Sequence, residues 1–144
     1  MDERDILGNF QVTKQIEFCY GHRLLNYEGK CQYLHGHNGV VEVEIRSDQL
    51  DSRGMVLDFN EIRDVLKPWI DNNLDHRMIL RADDPLVSVL TKFKEPLYLM
   101  EENPTAENIS KLIFQHLVSE GLNPASVRLW ETSSSHATYT GPVN

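Results

Sequence analysis

The chain has 144 residues, of which 40% are hydrophobic, 25% charged and two cysteine, and its formal net charge is −8. That length and composition fit one compact domain with a real core. The acidic balance argues against a nucleic-acid surface, which needs clustered Lys and Arg. No apolar run approaches the roughly 18 residues of a membrane span, and two cysteines are no disulfide framework. A small anionic substrate stays open, because a local basic pocket can sit on an acidic protein. The opening "MDERDILGNF" lacks the basic and apolar regions of an export signal. Reduced thiols and a cytoplasmic location are therefore the expectation.

Taken in chain order, the first patterned segment is "FQVTKQIEFCYGH". Phe10, Val12, Ile16, Phe18 and Tyr20 share one parity, broken only by Lys14, which is the period-2 pattern of a half-buried strand. His22 falls on the apolar parity. In "HGHNGVVEVEIRS", Val41, Val43 and Ile45 share a face with His35 and His37. "SDQLDSRGMV" reads as a loop. "DFNEIRDVLKPWIDNN" reads as a helix, with Asp58 as N-cap, Glu61 three residues on, and a stripe of Ile62, Val65, Leu66, Trp69 and Ile70. Pro68 inside it predicts a kink or an early stop. "EPLYLME" suggests a short strand. "PTAENISKLIFQHLVSEG" suggests a second helix, capped by Thr105 and closed by Gly121 at C′. "ASVRLWETSSSHATY" reads as one strand, with Val127, Leu129 and Glu131 on one parity. Strand, strand, helix, short strand, helix, strand predicts an α+β fold in a single domain over residues 1–144, an antiparallel sheet with helices on one face.

Two residues apart on a strand, the His35 and His37 rings point to one face. His22 is on the apolar parity of the preceding strand, and the two strands would pair through the loop between them. Three neutral imidazoles with an open fourth position form a catalytic zinc sphere. A lone histidine on an apolar face is more often a satisfied core residue, and the agreement of all three parities lifts the metal reading above that one. His116 and His136 lack such support; they read as structural and exposed respectively. Cys31 fits either a closed structural site of one cysteine and three histidines or a thiolate at the rim of an open site. Spacing does not separate the two. Cys19 reads as an ordinary structural thiol. Asp75 beside His76 could set that histidine's protonation state for proton transfer, or be a solvated loop pair.

"FCYGHRL", "CQYLHGHN", "LDHRMIL", "NPTAEN" and "WET" follow one another along the chain. In that order they closely resemble the 6-pyruvoyltetrahydropterin and 6-carboxytetrahydropterin synthase family. The resemblance implies the tunnelling fold, or T-fold: a four-stranded antiparallel sheet with two helices on one face, whose subunits join sheets into an oligomeric barrel, usually a hexamer built as a dimer of trimers. It implies Zn²⁺ on His22, His35 and His37. It also implies a catalytic thiol at Cys31 with Asp75 and His76 as proton-transfer partners, a pterin-anchoring Glu131, and Thr105 and Glu107 lining the pterin pocket. The implied substrate is 7,8-dihydroneopterin triphosphate. One product is 6-carboxy-5,6,7,8-tetrahydropterin, formed with loss of triphosphate and acetaldehyde in queuosine-type biosynthesis. The alternative product is 6-pyruvoyltetrahydropterin, in which the three-carbon side chain stays. A rival of another class is a non-catalytic zinc or pterin-binding module. Two departures stand out: Gly39 occupies a place where many relatives carry an aromatic residue, and His136 after "WET" matches no family role.

Overall fold

The computed structural model describes residues 8–142; the acidic stretch over 1–7, where an export signal would begin, lies outside them. Two long strands, β1 (Phe10–His22) and β2 (His35–Ser47), form the antiparallel backbone of the sheet. Their register runs from Phe10↔Ser47 to His22↔His35. The alternation seen in the sequence is what fixes it: a one-residue slip would turn every apolar side chain to the wrong face. Ile16, Phe18 and Tyr20 of β1 and Val41, Val43 and Ile45 of β2 are buried on one side.

Helix α1 (Phe59–Asn73) follows, capped by Asp58, whose carboxylate accepts the Asn60 N–H at 2.8 Å. It runs through Pro68 and does not stop there. Pro68 is exposed, so water can satisfy the carbonyl its missing N–H would have served. Strand β3 (Arg77–Arg81), the short helix α2 (Leu86–Lys92) and strand β4 (Leu97–Met100) come next. Helix α3 (Ala106–Ser119) begins at Thr105, whose hydroxyl accepts the Asn108 N–H at 3.1 Å. It ends with Gly121 at φ 89° and the Leu122 N–H returning to the Leu117 carbonyl at 3.0 Å, a Schellman closure. Strands β5 (Ser126–Thr132) and β6 (Ser135–Tyr139) complete the chain as a hairpin.

Among the described residues the sheet has six strands, in the order β4-β3-β1-β2-β5-β6. The expected four strands are thus corrected to six, and the sheet is mixed: β3 runs parallel to both β1 and β4. The final segment is two strands, because the chain turns back on itself after Thr132. The α+β class stands, with three α-helices among the described residues where two were expected. Ile62, Leu66 and Ile70 of α1 and Ile109, Ile113 and Leu117 of α3 join the inner sheet residues in one core. No helix among the described residues is long and apolar enough to cross a membrane.

Candidate active site

Apart from Lys14, the inner face of β1 and β2 is apolar until its last turn of pleat, where it becomes imidazole. The strand pairing sets His22 opposite His35, and His37 opposite Tyr20. Ring centroids lie 4.5 Å apart for His22–His35, 5.1 Å for His22–His37 and 5.2 Å for His35–His37. One ligand atom from each lies within 4.8 Å of the others, a spacing that could hold a metal ion. Backbone carbonyls select which nitrogens face inward. The His22 Nδ1 is 2.7 Å from the Pro104 carbonyl, and the His35 Nδ1 is 2.7 Å from the Tyr33 carbonyl. An Nδ1–H donating to each carbonyl leaves the Nε2 lone pair for the cluster, the outer-shell arrangement of metal-binding histidines. The His37 Nε2 stands 3.2 Å from the His22 Nε2. His22 is only 2% exposed. Burial pushes its pKa down to about 4, against the pull of the Pro104 carbonyl and with the help of His35 and His37. At neutral pH it is the uncharged imidazole that a metal requires. The donor set therefore fits a metal ion.

Glu131 lies one step beyond the Val40↔Trp130 pairing on β5, at the edge of this cluster. Its Oε2 is 3.1 Å from the His37 Nε2. Arg128, the alternative partner, points to the other side of the sheet, towards Glu42 at 3.6 Å and Thr138 at 3.0 Å. Beneath the histidines lies Tyr20, 2% exposed, stacked on Phe18 with centroids 5.0 Å apart. Burial, and then the Glu131 charge, keep its phenol protonated well above the ordinary tyrosine range. Tyr20 also answers the departure at Gly39. A Cβ there would stand 2.9 Å from the Tyr20 Cε1 and 3.3 Å from the Leu129 Cδ1. The tyrosine ring occupies the space that a side chain at 39 would need.

The other predicted residues divide. Cys31 sits half-buried in a single 3₁₀ turn, Lys30–Gln32, its carbonyl accepting the Leu24 N–H at 2.8 Å. It is not part of the three-histidine group. Asp75 and His76 follow α1. The Asp75 Oδ2 is 2.8 Å from the His76 Nδ1, and its Oδ1 accepts the Cys19 N–H at 2.9 Å. Burial opposes ionisation of Asp75, but the Cys19 N–H and the His76 ring prevail and hold its carboxyl below the usual range. His76 adopts a left-handed backbone, φ 56°, with its N–H on the Cys19 carbonyl at 2.6 Å and its side chain 78% exposed. Such a conformation costs roughly 1–3 kcal/mol and tends to mark functional sites. His76 and His35 line one cavity of about 460 Å³ together with Cys19, Arg77 and Met78; Cys31 and Glu131 do not line it. Thr105 spends its hydroxyl on the α3 cap, and Glu107 is exposed on the first turn of that helix. His116 stacks on Trp69 at 4.4 Å and His136 packs against Trp130 at 4.2 Å, both away from the cluster.

Two groups escaped the sequence reading. Asn103 clamps the Leu25 backbone, accepting its N–H and donating to its carbonyl, each at 2.9 Å, so the Pro104 carbonyl is fixed over His22. The "NPT" triplet was the available signal. Arg23, directly after His22, pairs with the buried Asp84, its Nε 2.7 Å from the Asp84 Oδ2. A basic and an acidic residue 61 positions apart give no local pattern.

A family model described as 6-pyruvoyl tetrahydropterin synthase matches residues 11–142. A Rickettsia conorii protein named 6-carboxy-5,6,7,8-tetrahydropterin synthase is 42% identical over 129 residues, covering 85% of this chain and 94% of that protein. A Haemophilus influenzae protein of the same name is 33% identical, covering 90% and 98%. Among solved structures, 6-pyruvoyl tetrahydropterin synthase of Caenorhabditis elegans superposes with a TM-score of 0.70 at 26% identity, covering 92% of this chain and 96% of that one. An uncharacterized protein from Wolinella succinogenes superposes with a TM-score of 0.76 at 28% identity, covering 92% and 98%.

Proposed function

We propose a function for this chain from one premise: it belongs to the 6-pyruvoyl tetrahydropterin synthase family. It is a pterin synthase, a lyase of the 6-carboxytetrahydropterin and 6-pyruvoyltetrahydropterin type. Its reaction, on our reading, converts 7,8-dihydroneopterin triphosphate and one water to 6-carboxy-5,6,7,8-tetrahydropterin, triphosphate and acetaldehyde, as a cytoplasmic step towards queuosine. Residues 1–144 act as one domain within a homohexamer. The observation that carries the reading is the cluster of three imidazoles with a carboxylate at its edge, in a chain whose curated relatives bear the 6-carboxy name.

His22, His35 and His37 would hold Zn²⁺. When bound, zinc supplies a Lewis acid that polarises substrate oxygens. The protein's own groups do the rest. Glu131 accepts the ring N–H and 2-amino donors of the pterin side by side, a geometry for which a carboxylate has two oxygens. Thr105 and Glu107 line the pterin pocket. Cys31 removes a proton from the substrate side chain as its thiolate, and the Asp75–His76 pair handles the return transfer. Asp75 suits that role, because its carboxylate is held ionised and its contact with His76 fixes the ring's orientation.

Product analysis tests this directly. Purified, zinc-loaded protein given dihydroneopterin triphosphate is expected to yield the 6-carboxy product and acetaldehyde. A three-carbon side chain retained in the product moves the assignment to 6-pyruvoyltetrahydropterin synthase. Zinc bound with no turnover of either kind returns the chain to a non-catalytic binding module.

A further inference from the structure

Tyr20 is a costly residue where it stands. Its hydroxyl is buried and meets no hydrogen-bond partner among the described residues. A buried hydroxyl left unpaired carries a desolvation cost that a phenylalanine would avoid. The ring is also tightly specified. It stacks on Phe18, meets His22 edge-on at 5.2 Å and lies 5.6 Å from His37. It leans over Gly39, where even a Cβ would come within 2.9 Å of it. Gly39 pairs with Phe18 across β1 and β2. On the other side it neighbours Glu131, one step beyond Val40↔Trp130. A ring that leaves its own row to lie over Gly39 therefore carries its hydroxyl towards Glu131.

Glu131 spends one oxygen on the His37 Nε2 at 3.1 Å. That nitrogen cannot serve both the carboxylate and a metal. Once it is committed to a metal, the carboxylate needs another donor to hold it in a partly buried place. We propose that the Tyr20 hydroxyl is that donor: a positioning residue that takes up the Glu131 carboxylate and aims it at the bound pterin, in space that Gly39 leaves open. The inference rests on reading Glu131 as the pterin anchor. A carboxylate has lone pairs enough for the tyrosine and for two donors of the ring together.

The test is a double-mutant cycle on zinc-loaded protein with neopterin, followed by its fluorescence, as the probe. Tyr20→Phe keeps the ring, the stack and the zinc. Its neopterin affinity should fall about 3- to 10-fold, the worth of one net hydrogen bond. Glu131→Gln should fall further, and Tyr20→Phe added to it should change nothing more, because the hydroxyl acts through the carboxylate. Tyr20→Phe binding neopterin as tightly as the parent, while Glu131→Gln binds it weakly, overturns the proposal and leaves the pterin site standing. So does a pair of losses that simply multiply, or loss of the zinc from Tyr20→Phe, which would mark a structural role. A parent that binds no neopterin, or a Glu131→Gln variant that binds it as tightly as the parent, overturns the anchor reading and the proposal together.

Discussion

At the scale of the residue, the site is built from strand parity. A period of two brings His22, His35, His37 and Glu131 to one face, and the alternation of Val, Ile and Phe announces which face that is. These four positions were legible for that reason. The groups that tune them were not. The Pro104 carbonyl that fixes the His22 ring is 82 residues away in sequence, and any residue could offer a carbonyl. Nor does parity reach Cys31, which sits in a turn. Sequence spacing left two roles for it, and the histidine group closes without it. Cys31→Ala should therefore keep one zinc per chain, measured by metal analysis, while turnover is lost; loss of zinc with the thiol would revive the closed site of one cysteine and three histidines. His76 invites a second test. Its left-handed backbone and its contact with Asp75 hold an exposed ring in one orientation. His76→Ala should lower kcat roughly 10²–10⁴-fold, the usual worth of a general acid–base group, with KM little changed. Unaltered kcat would make the pair a solvated loop.

At the scale of the element, what could be read followed what faces water. β1, β2, α1 and α3 each bury one face and expose the other, so their periods show. β3 does not. Ile79 and Leu80 are adjacent and both fully buried, as expected of a parallel strand covered on both faces, and alternation disappears. α2 buries no residue, so it has no apolar stripe to detect. β6 is a polar edge strand joined to β5 by a two-residue turn, and its pattern merges with that of its neighbour.

These unannounced elements are tied to the site by Arg23 and Asp84. Asp84 is buried at the start of α2 and also accepts the Leu86 N–H at 2.8 Å. The Arg23 hydrogen bonds hold its carboxyl below the usual range, outweighing burial. Both folded and unfolded chains are ionised there above about pH 4, near the ordinary aspartate value, so the stabilisation is complete at neutral pH. Below that value the unfolded chain takes up the proton first, and the stabilisation is lost as pH falls through the folded pKa. Asp84→Asn should cost about 1.5–3 kcal/mol at pH 7, the worth of a hydrogen bond to a charged group, in urea unfolding. The gap between variant and parent should narrow as the pH drops below about 4. A gap independent of pH would mean that packing, and not charge, is what Asp84 supplies.

At the scale of the whole molecule, the sheet formed by the described residues is open at both ends. β4 and β6 pair on one side only, and unpaired edges invite further strands. The β4 edge has little to repel a partner: Leu99 is 44% exposed, and Val89 and Phe93 just before it are 45% and 70% exposed. Proteins that must keep an edge free place charges or proline on it, and "LYLM" carries neither. The chemistry points the same way. His76 shares a cavity with His35, while Cys31 and Glu131 do not line it, so one chain alone does not gather every proposed catalytic and binding group around a single space. A neighbouring subunit that continues the sheet would bring the missing side. The protein should therefore sediment as a homo-oligomer, a hexamer of two trimers, at micromolar concentration. Leu99→Lys places a charge on the β4 edge and should shift the sedimenting species to smaller assemblies. Zinc content should be unchanged, since the three histidines belong to one chain, while turnover should fall with assembly. A parent that sediments as a monomer yet turns over substrate would put every catalytic group within one chain and remove the need for a shared site.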